Sequence, residues 1–180
     1  MSDTINQIKK FIGGYERGIV SFLSTVNQYN RSTIRQVSTF VDFENQWTIG
    51  TIGRFREGDL KYKHLNDNPK ATMHWVETSG NTIGPRWAVR NVWVHADVKI
   101  IEDENLINEF LLKRMNARNQ DHVGIEKKYE RYLMLLKPVR LRAEGFAEYY
   151  REVLLINNFV KPEIRQVNYR DGVIGSDEKA

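Results

Sequence analysis

The sequence predicts a small, mainly β protein with some helix (α+β): an antiparallel barrel with peripheral helices. Runs rich in β-branched and aromatic residues recur between turn-forming clusters at 27–32 and 44–46. Helical periodicity is confined to short stretches, and neither a strand–helix–strand rhythm nor an internal repeat is present. With 180 residues, 41% of them hydrophobic, the chain can bury one good core. A single domain over 1–164, followed by a polar tail over 165–180, accounts for its whole length.

Ile5, Ile8, Phe11 and Ile12 recur at helical spacing with Lys9 and Lys10 turned away, so 3–13 reads as an amphipathic helix that stops at Gly13-Gly14. Residues 18–26 form a β-rich run, 27–32 supply turn chemistry, and 33–43 form a second strand. The turn Glu44-Asn45-Gln46 leads into a strand over 47–53, which completes an antiparallel meander. A helix beginning near Asp59 precedes a strand over 70–77, a turn at Ser79-Gly80-Asn81 and a long strand over 86–101. In that strand Val92, Val94, Ala96, Val98 and Ile100 alternate with Asn91, Trp93, His95, Asp97 and Lys99, which marks a half-buried strand. Asp103 can cap a helix with Leu106, Ile107, Phe110 and Leu111 on one face and Glu104, Asn108, Glu109 and Lys113 outside. A further helix is expected over 125–131, then a last strand over 132–150 in which Pro138 demands an edge, a bulge or a break.

The helix near Asp59 opens with Lys61 and Lys63, although the positive end of a helix dipole favours acidic residues there by about 0.3–1 kcal/mol each. A bound anion reverses that preference. The preceding turn, 52–58, adds Arg54 and Arg56, and helix N–H groups beside glycines and cations are how proteins hold phosphate. Solvated lysines on an exposed helix are the plainer account of the same residues. Asp59, if it caps the helix, also occupies a donor and repels an anion.

Composition narrows the chemistry further. Without cysteine there is no disulfide or thiolate, and the four histidines lack metal-ligand spacing, so no metal site is expected. The N-terminus lacks an apolar signal core, and the apolar run 133–136 is far too short to cross a bilayer. A cytoplasmic protein with no membrane partner is expected. The net charge of +4 is spread along the chain, which suits a small anionic ligand; with no recognition motif present, nucleic acid is not expected as a partner.

The stretch LKYKHLNDNPKATMHW, 60–75, resembles a segment of the pyridoxamine 5′-phosphate oxidase-like family of flavin-binding split barrels. Lys61, Leu65 and Asn68-Pro69 fill its pattern of a lysine four residues before an apolar residue, then Asn-Pro and a strand. IRQVSTF, 34–40, looks like the family strand with an Arg-x-Val cofactor contact, and RNVWVHADV, 90–98, looks like its strand with Arg-Gln-Val. The resemblance covers about residues 15–145.

It implies a six-stranded antiparallel split β-barrel that forms a homodimer, with two cofactors held at the dimer interface. Lys61 would bind the phosphate of FMN, and Arg35 the phosphate or the ring system. Gln36 and Val37 would offer side-chain or backbone groups to the ring, Thr51 would bind the cofactor from the strand end before the phosphate loop, and Asn91 replaces a family glutamine that hydrogen-bonds to the cofactor. Arg54, Arg56 and Lys63 would be extra phosphate contacts in a loop longer and more basic than the family's, and Asp59 stands where a family serine or threonine is expected. Trp87 and Trp93 share the face of Asn91, suited to an interface or an aromatic ligand.

The activity implied is that of an FMN-dependent oxidoreductase acting on a small molecule, in which the flavin does the redox chemistry. Glu77, His74 and His95 are candidate proton donors, and no catalytic residue is assigned among them. The C-terminus lacks the family's Arg-x-His substrate element, so vitamin B6 oxidation is not expected. An alternative is a reductase using the deazaflavin F420, whose phosphate and polyglutamate would suit Arg54, Arg56, Arg86 and Arg90. A non-enzymatic module that binds flavin or haem is the third reading.

Overall fold

The computed structural model describes residues 2–16, 19–55, 58–77, 89–119, 130–147 and 152–168. Three helices, α1 (Ser2–Ile12), α2 (Leu60–Asp67) and α3 (Glu104–Ala117), surround nine strands among these residues. The strands are β1 (Ser21–Val26), β2 (Ser32–Val37), β3 (Thr39–Asp42), β4 (Thr48–Arg54), β5 (Lys70–Val76), β6 (Asn91–Ile101), β7 (Arg131–Glu144), β8 (Glu152–Ile156) and β9 (Arg165–Asn168). All belong to one sheet, in the order β2-β1-β5-β6-β7-β4-β3, with β8 on the second half of β7 and β9 on β8.

Every neighbouring pair is antiparallel. The two ends of the order, β2 and β3, are consecutive in the chain, with Ser38 alone between them. A sheet whose edges are joined by one residue must curl until they meet. Taken as one bent strand, β2–β3 makes a barrel of six strands with β1, β4, β5, β6 and β7, and β8–β9 is a hairpin added outside it. The expected six-stranded split barrel is thus the fold observed, and the strand expected over 33–43 is broken at Ser38 by closure of the ring.

Alternation places the core. Leu23 on β1, Met73 and Trp75 on β5, Val92, Val94 and Ala96 on β6, and Leu136 and Leu141 on β7 are buried. α1 lays Ile8 and Ile12 onto this core and sets Phe11 edge-on to Phe146, with ring centres 5.2 Å apart. On the other side of the sheet α3 buries Ile107, Leu111 and Met115. Leu106, expected on that buried face, is 41% exposed, because α3 docks through a narrow i, i+4, i+8 stripe. The Asp103 cap is present: its carboxylate accepts from the backbone N–H groups of Asn105 and Leu106.

Pro138 lies at a bulge, the second of its three expected outcomes. His95 pairs with Arg140 and Ala96 with Pro138, which leaves Val139 as the extra residue on β7. β7 begins at Arg131, where a helix end was expected, and stops at Glu144, before Gly145 turns the chain at φ +78°. Residues 165–168, assigned to the tail, form β9 instead. Their polar side chains hide the strand, while their backbone pairs with β8 from Glu152↔Asn168 to Leu155↔Arg165. The turn at 79–81, the start of the strand expected over 86–101, most of the helix expected over 125–131 and the end of the tail lie outside the described residues. Among the described residues, no helix is long and apolar enough to cross a membrane.

Candidate functional site

The split in the barrel follows from the break at Ser38. β3 pairs with β4 as far as Thr39↔Thr51; beyond that point β2 runs along β1, through Leu23↔Arg35 and Thr25↔Thr33, while β4 runs along β7, through Ile52↔Leu133 and Arg54↔Arg131. The parting strands leave a cleft of about 580 Å³. Thr33 and Arg35 form one lip, Ile52 and Arg54 the other, and residues 58–61 at the start of α2 close one side. Its apex is tied shut. The Thr51 hydroxyl donates to Ser38 O at 3.0 Å, the Ser21 hydroxyl to Val37 O at 2.8 Å, and the Arg118 guanidinium to Thr39 O at 2.9 Å.

α2 presents its N-terminus to this cleft. Asp59 caps it in extended conformation, with Oδ1 accepting from Lys61 N at 3.0 Å, and the first turn holds no acidic residue. The buried His64 sets the helix against the barrel: its Nδ1 lies 3.2 Å from Thr25 Oγ1 and 3.1 Å from Thr33 Oγ1. On the far side the Tyr62 hydroxyl donates to Glu102 at 2.6 Å.

The Tyr132 hydroxyl donates to Asp59 Oδ2 at 2.6 Å. Burial first, and then that bond to a carboxylate, push the Tyr132 phenol far above its usual range, so it remains a donor. The side chain fits because residue 53 is glycine: a Cβ there would lie 2.1 Å from Tyr132 Cζ. Burial lowers the pKa of Arg35, opposed by Asp59 and Tyr132, and a guanidinium stays a cation at neutral pH. The Lys61 ammonium lies 5.9 Å from the centre of the Tyr132 ring.

The structure therefore brings together Arg35, Arg54 and Lys61 from three elements, β2, β4 and α2. Thr51 stands at the apex with its hydroxyl engaged by Ser38. Val37 packs against the core, Gln36 is exposed, and Lys63 is exposed on α2 without lining the cleft. Arg56 lies outside the described residues, as do Arg86 and Trp87.

Asn91 belongs to a different place, an outer row that crosses four strands through the direct pairs Phe22↔His74, His74↔Trp93 and Trp93↔Arg142. Asn91 Oδ1 is 3.2 Å from His74 Nε2, and its amide donates to Val89 O at 3.0 Å. His74 stacks on Trp93 with centres 4.7 Å apart and planes within 5°, and the Arg142 guanidinium lies 5.7 Å from the Trp93 ring centre. Burial holds the His74 imidazole below its ordinary 6.5, against the opposing pull of Asn91 and Glu144. His95 is shifted the same way by burial and by Arg140. Neither histidine lines the split, nor does Glu77, which faces Arg90.

A second cleft, of about 320 Å³, lies by the bulge. There Lys70 pairs directly across the sheet with Asp97, which balances the charge, whereas the described lining of the split holds three cations and one carboxylate. The split also recruits residues that the sequence reading passed over. Thr33 and Ile52 were recoverable, since each lies two residues from a singled-out arginine and so shares its strand face. Tyr132, in an apolar strand, gave no such signal.

No protein-family model and no curated protein matches the sequence. Solved structures do. A pyridoxamine 5′-phosphate oxidase-related, FMN-binding protein from Nostoc punctiforme superposes with a TM-score of 0.58 at 15% identity, covering 93% of this chain and 94% of that one. The heme storage protein HutZ from Vibrio cholerae gives 0.61 at 16% identity, covering 79% and 95%. An F420 reductase gives 0.54 at 16% identity, covering 74% and 94%. Likeness at such identities is likeness of fold, and it agrees with the closure at Ser38 and the split beside it: the chain has the split-barrel fold of the pyridoxamine 5′-phosphate oxidase-like family.

Proposed function

We propose that the split binds the phosphate of a flavin mononucleotide and that the protein is an FMN-dependent oxidoreductase acting on a small molecule. The observation that carries this reading is the convergence of Arg35, Arg54 and Lys61 on a cleft that also receives the N-terminus of α2. The donor set fits the group: guanidinium and ammonium cations beside helix N–H groups suit a phosphate monoester. Arg35 and Arg54 would grip from opposite lips, Lys61 would approach from the helix, and Tyr132 would fix Asp59 at the start of α2. When bound, FMN supplies the hydride and electron chemistry, and the chain binds, orients and shields it.

The absorption spectrum of the purified protein, with mass spectrometry of what acid releases, tests the reading. A two-banded flavin spectrum and the mass of FMN are expected. A colourless protein that takes up neither FMN nor F420 would overturn it. F420 is the second reading, favoured by the additional arginine at position 54 and by the likeness to an F420 reductase. Cofactor bound without turnover by any reductant would instead support a carrier or sensor, in line with the likeness to a heme storage protein.

A second copy of this chain is the proposed partner. Asn91 does not line the split of its own chain, and it shares the outer row with Trp93, so a cofactor that meets both lies between copies. Trp93→Glu is expected to yield monomers and to release the cofactor together, read by size-exclusion chromatography and absorbance. A dimer that keeps its cofactor would place the interface elsewhere.

A further inference from the structure

Among the described residues that line the split, Asp59 is the acidic one, and both of its oxygens are held. Oδ1 accepts from Lys61 N and Oδ2 from the Tyr132 hydroxyl. Tyr132 is itself fixed: it is fully buried, its ring lies over Gly53, and Phe55 and Tyr62 pack on it with centres 4.9 and 5.2 Å away. A carboxylate anchored through both oxygens cannot swing aside to make room for an anion. Asp59 is a fixed negative charge, and its field reaches across the cleft to Arg35.

The charges set the match. Among the described residues, three cationic side chains and one carboxylate line the split, a formal charge of +2. A phosphate monoester, with its second ionisation near pH 6, carries roughly two negative charges at pH 7. Every further charge on a ligand gains attraction from the three cations and loses part of that gain to Asp59. Resting on the phosphate reading above, we infer that Asp59 is the specificity-determining residue of the cleft: it offsets the pull of the cations on diphosphates and more highly charged anions, and so keeps a phosphate monoester competitive with them.

Asp59→Asn tests this, because asparagine caps a helix as well as aspartate and still places a polar group at the Tyr132 hydroxyl. Asp59→Ser, an uncharged cap of a different shape, reads the same effect if the asparagine disturbs folding. FMN is displaced from the full-length protein by inorganic phosphate and, separately, by pyrophosphate, with recovery of free-flavin fluorescence as the readout. FMN carries the same monoester as inorganic phosphate and gains with it, so phosphate is expected to compete about as before and pyrophosphate better. Pyrophosphate should gain roughly tenfold more than phosphate, the lower end of what a unit charge a few ångström away does to an ionisation. The gap should narrow at high salt. An unchanged ratio of the two anions, in a variant that still binds FMN, would overturn the inference and leave the phosphate reading standing. Wild-type protein that takes up FMN no better than riboflavin would overturn both, since the cleft would then not read phosphate at all.

Discussion

Phe40→Ala is expected to lower the free energy of unfolding by about 3–5 kcal/mol, a large fraction of the roughly 5–15 kcal/mol typical of a domain. The reason lies in where Phe40 sits. It is 1% exposed, two residues after the break at Ser38, and its ring is stacked between Tyr15 at 5.3 Å and Phe110 at 5.0 Å. The far end of its ring lies over Gly50, its direct partner on β4, so closely that a Cβ at position 50 would fall 1.8 Å from Phe40 Cζ. Truncation thus removes an aromatic side chain from a place that glycine cannot refill, and it does so at the seam that closes the ring. Urea unfolding, with the slope checked for constancy, measures the loss. Val160→Ala, at a side chain 76% exposed, should stay within about 0.5 kcal/mol of wild type. Equal midpoints for the two variants would mean that the seam carries no special share of the stability.

Lys61→Ala is expected to weaken FMN binding roughly ten- to hundredfold, the equivalent of losing one charge-assisted hydrogen bond of about 1.5–3 kcal/mol. Riboflavin, which lacks the phosphate, should lose far less. Lys61 lines the split beside the N-terminus of α2, where its charge opposes the helix dipole unless an anion is bound. Lys63, two residues on, is exposed and turned away, so Lys63→Ala should leave both affinities close to wild type. Titration of each variant with FMN and with riboflavin settles the matter: equal losses for both ligands in Lys61→Ala would remove Lys61 from phosphate recognition.

The strand pattern was legible because alternation records which face of a sheet is buried. Val92, Val94 and Ala96 announced the inner face of β6, and Asp59 and Asp103 announced two helix starts. β9 escaped notice because Arg165, Gln166 and Asn168 carry no apolar alternation, and their pairing with β8 is a backbone matter. The break at Ser38 was equally silent, since nothing local marks it. The Ser21 and Thr51 hydroxyls and the Arg118 guanidinium that secure it come from distant parts of the chain.

By itself the sequence determined a mainly β protein, the places of α1, α2 and α3, and a run of cations at the start of α2, because propensity, periodicity and charge are local quantities. Tertiary structure alone decided which cations share a site. It gathered Arg35, Arg54 and Lys61 into the split, left Lys63 outside, set Asn91 on another face and tied Asp59 to Tyr132. The physical reason is closure: joining β2 to β3 through one residue forces the strands to part beyond Thr39↔Thr51, and only in that gap do side chains nineteen and twenty-six residues from Arg35 come within reach of one ligand.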